Sequence, residues 1–389
     1  MKINFPLLAL AVGAFAIGTT EFSPMGFLPE IANDLSVSIP QAGLLISAYA
    51  VGVMIGAPLM TLWLARFPKK TALILLMAIF TIGNVLATVA PDYMSLLGAR
   101  LITSLNHGAF FGLGSVVAAS VVPKDKQASA VAMMFMGLTI ANIGGVPLAT
   151  WLSQNTSWRM AFAAISILGI MTILALWKAL PQDHDVVKPN VAKELRVLTR
   201  APVVLALLTT VMSAGAMFAL YTYIAPSLHV FMQASPQTIT LMLVLIGIGF
   251  SIGNHLGGKF ADLSLEKTLI GFLVLLMVMM LVFPVLAQTT VGAAIGLVIW
   301  GAAAFAVVPP LQMRAMSVAA DAPGLASSVN IGAFNLGNAL GAFAGATVLS
   351  MQLSYAAVSY AGAALSFMAL ILVLLQMKFG LSKKACEAV

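Results

Sequence analysis

Two related stretches of sequence, about half a chain apart, decide the fold. The first is LARFPKK at residues 64–70, and the second is GKFADLSLEK at residues 258–267. Another pair, ASAV at 128–131 and ASSV at 326–329, recurs with nearly the same separation. Self-similarity at one long period indicates that a structural unit is repeated in tandem. The sequence therefore predicts two halves of related structure.

Between these stretches the chain is strongly apolar. Hydrophobic residues make up 61% of its 389 residues and charged residues only 8%, with a mean hydropathy of +1.04. This composition is typical of proteins that cross a membrane many times, and it excludes an ordinary soluble domain. Because the apolar runs are continuous and rich in Leu, Ala and Met, they predict helices and not the alternating strands of a barrel.

Segments of about 20 apolar residues, the length that a helix needs to cross the hydrocarbon core, number twelve. The predicted spans 1 to 12 are residues 5–29, 41–64, 72–90, 94–122, 129–153, 158–180, 203–231, 238–260, 268–287, 291–315, 325–350 and 356–377. The predicted fold class is thus an all-α integral membrane protein with twelve transmembrane helices in two six-helix halves related by a tandem repeat.

Lysine and arginine side chains collect in alternate loops. The loops after spans 1, 3, 5, 7, 9 and 11 contain neither, apart from Arg159 at the edge of span 6. Since basic residues favour cytoplasmic loops, both termini are predicted to be cytoplasmic. The net charge of +7 follows from this basic face and does not call for nucleic acid. The apolar run after Lys2 continues to Leu28, which favours a first span over a cleaved signal peptide.

The longest polar interruption divides the spans six and six. It predicts an N-terminal bundle at 1–180, a cytoplasmic linker at 181–201, and a C-terminal bundle with a cytoplasmic tail at 202–389. Apolar side chains of the linker share one helical face, namely Val191, Leu195 and Leu198. That pattern favours a short helix on the inner leaflet, with a solvated loop as the alternative.

The loop motif GKFAD at 258–262 resembles the loop signature of the major facilitator superfamily in its second-half position. In the first-half copy Ala65 stands where that signature has Asp. The resemblance implies a major facilitator fold, alternating access, and gating by charged residues of the two loops. The candidate gating residues are Arg66, Lys69, Lys70, Lys259 and Asp262.

Further motifs are similar to those of the sugar-efflux and arabinose-efflux permeases, in the twelve-span drug/proton antiporter branch of that superfamily. They are TEF at 20–22, HGAFFG at 107–112, GVPL at 145–148 and WR at 158–159. Arg100 in span 4 resembles the arginine of the family's second motif. The resemblance covers essentially the whole chain, and it implies export of a small molecule in exchange for protons.

One acidic residue, Glu21, lies within span 1 and has uncharged sequence on both sides. An ionisable group at membrane depth is costly, which makes it a candidate functional site. Span 4 carries Arg100, Thr103, Ser104 and His107 at spacings that share one helical face. Glu21 and Arg100 lie roughly 12 and 9 Å from the outer surface, and His107 roughly two turns deeper than Arg100.

These positions predict a proton-coupling group of Glu21, Arg100 and His107. A permanent buried ion pair with Arg100 is the alternative for Glu21, and Arg100 could instead anchor backbone or a substrate oxygen. His107 could instead serve as an interhelical hydrogen-bond donor.

Neutral polar side chains of other spans are candidates for substrate contact, with ordinary packing as the alternative role. They are Tyr49, Asn142, Tyr221, Tyr223, Trp300, Asn335 and Asn338. Such groups suit a neutral or amphiphilic molecule better than a strong ion. Small residues also recur four apart in spans 5 and 11, at Gly137, Ala141, Gly145, Gly337, Gly341 and Gly345. This spacing predicts close helix packing, either static or sliding during transport.

The sequence as a whole predicts a secondary active efflux transporter of the bacterial cytoplasmic membrane, a proton antiporter for drug-like or sugar-like molecules. A passive facilitator of the same fold is the alternative. We expect no cofactor beyond the coupled proton, and a monomer whose partners are substrate, protons and lipid. Cys386, the sole cysteine, has no companions for a metal site. The chain lacks a phosphate-binding loop and the HExxH motif, and Ser115 lacks the GxSxG setting, which argues against an enzyme.

Overall fold

The computed structural model describes residues 4–37, 39–181 and 191–378, and all regular secondary structure in these ranges is helical. The helices are α1 (Phe5–Gly26), α2 (Leu28–Asp34), α3 (Ile39–Leu64), α4 (Lys69–Thr88), α5 (Tyr93–Ser120), α6 (Gln127–Ile140), α7 (Val146–Asn155), α8 (Trp158–Ala179), α9 (Val191–Leu198), α10 (Ala201–Thr222), α11 (Ile224–Met232), α12 (Pro236–Leu263), α13 (Leu265–Leu286), α14 (Thr290–Ala306), α15 (Val308–Val318), α16 (Pro323–Ser350) and α17 (Tyr355–Lys378).

Twelve helical segments in these ranges are long and apolar enough to cross a membrane, which confirms the predicted number. Helix α9 forms within the predicted linker, and it is two-sided because Val197 is fully buried while Leu195 is exposed. Linker residues 182–190 and the predicted tail from residue 379, including Cys386, lie outside the described residues.

Four of the predicted spans are interrupted. The interruptions are Phe27 between α1 and α2, the π-helical segment Ala141–Gly145 between α6 and α7, Tyr223 between α10 and α11, and Val307 between α14 and α15. A proline follows two or three residues after each break, at Pro29, Pro147, Pro226 and Pro309. Proline lacks a backbone N–H and its ring clashes with the carbonyl four residues earlier, which weakens the regular hydrogen-bond ladder at these points.

The chain divides into two compact units. Unit 1 comprises Met1–Pro123, Met133–Glu194 and Ser327–Gly332, and unit 2 comprises Lys124–Ala132, Leu195–Ala326 and Ala333–Val389. The first residues of α6 therefore group with unit 2, and a short part of α16 groups with unit 1. The domain boundaries given by the sequence remain a prediction.

Glycines bring α12 and α14 of unit 2 into close contact. Gly249, Gly253 and Gly257, spaced four apart on α12, face backbone atoms of Val298, Ala302 and Ala306 on α14. A Cβ atom at any of these glycines would overlap the facing backbone carbonyl. Small residues at this spacing allow helix axes to approach closely in a membrane. The glycine run in span 8 is thus a packing seam.

The glycines of spans 5 and 11 also pack inside their own units. In unit 1, Gly137 lies against the backbone of Ala11 and Phe15 in α1. In unit 2, Gly341 lies against the backbone of Gly215 in α10. These contacts favour static close packing for Gly137 and Gly341.

A small polar cluster ties three segments together at one end of unit 1. Arg159 at the start of α8 donates hydrogen bonds to the Asp34 carboxylate and, at 2.9 Å, to the Ala90 carbonyl, while the Trp158 indole N–H donates to Asp34 at 3.0 Å. The Arg159 hydrogen bond, followed by that of Trp158, lowers the pKa of Asp34. Asp34 is therefore charged at neutral pH. Its contribution to the stability of the folded protein is lost only when the pH falls through that lowered pKa.

The glycine seam gives a stability prediction. Gly253→Ala should lower the stability of the protein by about 1–3 kcal/mol, because the new methyl group forces α12 and α14 apart. The measurement is the thermal unfolding midpoint of the purified protein in detergent.

Gly98→Ala is the matched control, since a Cβ at Gly98 in α5 meets no atom within 4 Å. There the gain in helix propensity should leave stability equal or raise it by up to about 1 kcal/mol. Equal midpoints for the two variants would contradict the packing argument.

Candidate functional site

The polar stripe of α5 lies inside unit 1. The exposed fractions of its side chains are 1% for Arg100, 1% for Thr103, 0% for Ser104 and 4% for His107. The stripe therefore faces protein and not lipid, as polar groups at membrane depth require. It brings two ionisable groups of α5 close to Glu21 of α1.

Arg100 is held from two sides. One terminal nitrogen of its guanidinium donates a hydrogen bond to the Thr20 carbonyl at 2.9 Å. The guanidinium carbon lies 4.2 Å from the centre of the Tyr49 ring in α3, a distance at which a cation is attracted to the ring face. The other terminal nitrogen and Nε are buried and have no protein partner. Arg100 thus keeps hydrogen-bond donors free in a buried position.

Glu21 lies nearer to His107 than the sequence suggested. Its Oε2 is 3.9 Å from His107 Nδ1, although His107 was expected well below the level of Glu21 and Arg100. The Glu21 side chain keeps 14% of its surface exposed. Among the described residues no ion pair within 4.0 Å joins Glu21 to Arg100. The two residues share one cluster, but the permanent ion pair is not formed in this structure.

Tyr49 connects the two ends of the cluster. Its ring lies beneath Arg100, and its hydroxyl is 3.2 Å from His107 Nδ1. The Tyr49 side chain is 2% exposed, so both contacts are made in a buried environment. The sequence marked Tyr49 only as a candidate substrate contact. Its place between Arg100 and His107 makes it a member of the charge cluster.

Sequence reasoning missed two supporting residues, Thr20 and Asn84. The Thr20 hydroxyl donates to Asn84 Oδ1 at 2.7 Å, and Asn84 Nδ2 donates to the Phe80 carbonyl at 2.9 Å. Asn84 is fully buried in α4. This chain of bonds fixes the α1 backbone whose carbonyl receives Arg100, immediately before Glu21. An asparagine inside an apolar span is the signal that could have identified it.

Unit 2 contains an aromatic cluster that includes two of the predicted substrate residues. The rings of Tyr221 in α10 and Trp300 in α14 lie 6.4 Å apart at an angle of 23°, and Phe250 of α12 contacts both. Trp300 is fully buried, and its indole N–H has no protein partner. A buried donor beside stacked rings could bind a flat neutral ligand.

The other substrate candidates have different surroundings. The Tyr223 hydroxyl donates to the Ala342 carbonyl at 3.0 Å. Asn142 lies in the π-helical segment and donates to the Leu138 carbonyl at 3.0 Å. Asn335 is buried and Asn338 is partly exposed, both on α16. The structure therefore brings together Tyr221 and Trp300, whereas Tyr223 and Asn142 bond to nearby backbone.

The two repeated loops make different contacts. In unit 2, the Asp262 carboxylate accepts hydrogen bonds from the backbone N–H groups of Ala128 at 2.8 Å and Ser129 at 3.1 Å, and from the Ser129 hydroxyl. In unit 1, where the first-half loop has Ala65, the Thr61 hydroxyl donates to Ser328 at 2.7 Å. The start of α6 is thus held by a carboxylate, and the equivalent part of α16 by a neutral bond.

In the part of the chain that the structure describes, no carboxylate forms an ion pair with a basic gating candidate. Lys70 donates to the Leu180 carbonyl at 2.7 Å. Arg66 lies over the rings of Trp63 and Phe67, at 5.2 and 5.3 Å from their centres. Lys69 and Lys259 are exposed.

In the described ranges, twelve segments able to span a membrane together with a buried charge cluster are typical of a polytopic membrane transport protein. The chain belongs to the Major Facilitator Superfamily, because the family model matches residues 10–342. Membership makes it a membrane transporter and not an enzyme, as the sequence predicted. The predicted resemblance to this superfamily is confirmed.

Individual relatives agree with this assignment. The chain is 66% identical to the inner membrane transport protein YdhP of Escherichia coli K12, over 96% of each chain. It is 28% identical to a probable sugar efflux transporter of Helicobacter pylori strain 26695, over 94% of this chain and 93% of that one. A solved structure of the E. coli fucose:proton symporter FucP superposes with a TM-score of 0.77 at 14% identity, covering 96% and 99% of the chains, which supports the fold.

The Asp262 contact gives a local prediction. Asp262→Ala should destabilise the start of α6 by about 0.5–2 kcal/mol, since two backbone N–H groups lose their acceptor. Amide hydrogen exchange of peptides covering residues 124–132 should then accelerate. Lys259→Ala, one turn earlier on α12, is the control and should leave that exchange unchanged. Unchanged exchange in Asp262→Ala would show that the carboxylate does not hold this segment.

Proposed function

We propose that this protein is a proton-coupled exporter of small neutral molecules in a bacterial cytoplasmic membrane, with both termini in the cytoplasm. The observation that carries the proposal is the buried cluster of Glu21, Tyr49, Arg100 and His107. Export as the direction is supported by the motifs shared with efflux permeases and by the relative named as a sugar efflux transporter. The name of the relative at 66% identity supports the inner membrane as the location.

Proton coupling follows from the two charge states of Glu21. When Glu21 is protonated it is neutral, and Arg100 is held by the Thr20 carbonyl and the Tyr49 ring while its remaining donors stay unpaired. When Glu21 loses its proton, its carboxylate needs hydration or a cation at membrane depth. Arg100 has unpaired donors that can turn toward it. Protonation would therefore select between two arrangements of α1, α3 and α5.

His107 is the second group through which protons could pass. Its distance of 3.9 Å from Glu21 is too long for a direct hydrogen bond, so one water molecule between them would be needed for transfer. The Tyr49 hydroxyl lies 3.2 Å from the same nitrogen, Nδ1, so transfer would require a protonated Nδ1 and a Tyr49 hydroxyl that turns away from it. We propose that His107 relays protons to Glu21 from the deeper part of unit 1.

The substrate proposal rests on Tyr221, Phe250 and Trp300. Stacked rings present a flat apolar face, and the unpaired indole N–H can donate to a hydroxyl or carbonyl oxygen of a ligand. We propose a sugar-like substrate, whose ring combines an apolar face with oxygen acceptors. A drug-like amphiphile would use the same contacts and is the alternative. We further propose that the hydrogen bonds from Ala128 and Ser129 to the Asp262 carboxylate break when the transporter changes state, which would release the start of α6.

The coupling role predicts the behaviour of Glu21→Gln. In proteoliposomes this variant should lose transport driven by a pH gradient and retain substrate exchange, because it is fixed in a neutral state. Uptake of a panel of radiolabelled monosaccharides and neutral antibiotics, with and without a gradient, measures both activities. Glu194→Gln in α9 is the control for loss of one carboxylate.

Full gradient-driven transport by Glu21→Gln would refute its proton role. Wild-type flux that ignores the gradient would identify a passive facilitator.

The substrate role predicts the effect of Trp300→Phe. This change keeps a ring in α14 and removes the indole donor. It should raise the KM for transported substrates by about twofold to tenfold, the worth of one neutral hydrogen bond, without abolishing proton coupling. The control is Trp177→Phe, because Trp177 is exposed on α8. An unaltered KM in Trp300→Phe would remove this residue from the substrate site.

A further inference from the structure

A groove lies on the outside of unit 2, between the end of α12 and the start of α13. It encloses about 360 Å³. Phe260 and Leu263 of α12 and Phe272 and Leu275 of α13 form its apolar wall. Leu263 is 80% exposed and Phe260 is 42% exposed. These side chains lie on membrane-spanning helices, so we expect their surroundings to be lipid acyl chains.

The polar groups of this groove are confined to the N-cap and the first turn of α13. Ser264 and Lys267 line the groove there, followed by Thr268 on the first turn of α13. Lys267 is exposed, and its backbone N–H donates to the Ser264 hydroxyl at 3.4 Å. The groove thus has an apolar length and one basic, hydroxyl-bearing end. That end belongs to the face that the charge pattern assigns to the cytoplasm.

Acidic neighbours do not cancel the charge of Lys267. The Asp262 carboxylate is taken up by the N–H groups at the start of α6. Glu266, the adjacent residue, lies within electrostatic range of the buried Arg314 on α15. No carboxylate forms an ion pair with Lys267 within the described ranges. Its ammonium group remains available to an external anion.

We propose that this groove is a binding site for one anionic phospholipid of the cytoplasmic leaflet. An acyl chain lies along Phe260, Phe272 and Leu275, and the phosphate contacts Lys267 and the Ser264 hydroxyl. Basic pockets between membrane helices on the cytoplasmic side suit such headgroups, and each lysine near the surface contributes measurable attraction. The site is separate from the charge cluster and from the aromatic cluster, and it does not depend on the transported substrate.

A larger groove between α1 and α8 has Lys178 at its edge and a volume of about 550 Å³. It has no hydroxyl side chain among its lining residues, and it begins at Phe5, beside residues 1–3, which lie outside the described ranges. Charge and hydroxyl groups therefore favour the α12–α13 groove for a specific headgroup.

Two substitutions test the headgroup and acyl-chain contacts separately. Lys267→Gln removes the charge and keeps the shape of the groove. Gly271→Leu fills the groove, since a Cβ at this lining residue meets no atom within 4 Å and the fold should be undisturbed. Lys378→Gln, an exposed basic residue at the end of α17, and Gly43→Leu, another open glycine, are the matched controls.

Native mass spectrometry of the full chain in detergent, titrated with phosphatidylglycerol or phosphatidylethanolamine, gives the number and affinity of bound lipids. We expect tighter binding of phosphatidylglycerol by the wild type. Lys267→Gln should weaken that binding about fivefold and weaken phosphatidylethanolamine binding less, because the ammonium group of that lipid already balances its phosphate. Gly271→Leu should remove one bound molecule of either lipid, and the controls should match the wild type.

Equal binding of the two lipids by the wild type would overturn the proposal, and so would an unchanged preference in Lys267→Gln. Unchanged lipid occupancy in Gly271→Leu would place the lipid elsewhere. A dimer in the same spectra that disappears in Gly271→Leu would show that a second copy of the chain occupies the groove. Transport is not measured here, so failure of this proposal leaves the transport proposal intact.

Discussion

The cost of burying Arg100 at membrane depth organises unit 1. A guanidinium there must find acceptors inside the protein, because lipid offers none. It finds the Thr20 carbonyl and the face of Tyr49, and these two contacts join α5 to α1 and α3. Thr20 is in turn fixed to α4 through Asn84. The contacts of this one charged side chain, together with the Thr20–Asn84 bond, thus join four helices around Glu21. The remaining guanidinium N–H groups of Arg100 are free to bind the Glu21 carboxylate when it loses its proton.

Much of the architecture is readable from the sequence, because the bilayer imposes simple rules. Runs of apolar residues long enough to cross it give the twelve spans, and the spacing of Arg100, Thr103, Ser104 and His107 gives the buried face of α5. The loop repeat gives two related halves. Each of these signals depends on a residue and its near neighbours, and the structure confirms the number of spans and the burial of the stripe.

The contacts within the site depend on groups that carry no sequence signature. The acceptor for Arg100 is a backbone carbonyl, which every residue has. The approach of Glu21 to His107 depends on how α1 and α5 cross and on the reach of both side chains. A membrane depth counted along an ideal straight helix contains neither piece of information. The interruptions at Phe27, Tyr223 and Val307 do have a local cause in nearby prolines. Their position relative to the site still required coordinates.

The breaks in unit 2 have a mechanical consequence for its aromatic cluster. Tyr221 precedes the break at Tyr223 by two residues, and Trp300 lies about two turns before the break at Val307. The glycine seam fastens α12 to α14, so Phe250 and Trp300 move as one piece while Tyr221 belongs to α10. Flexing of α10 would therefore separate the Tyr221 ring from the other two. The bend of α10 thus determines how closely the three aromatic rings can pack.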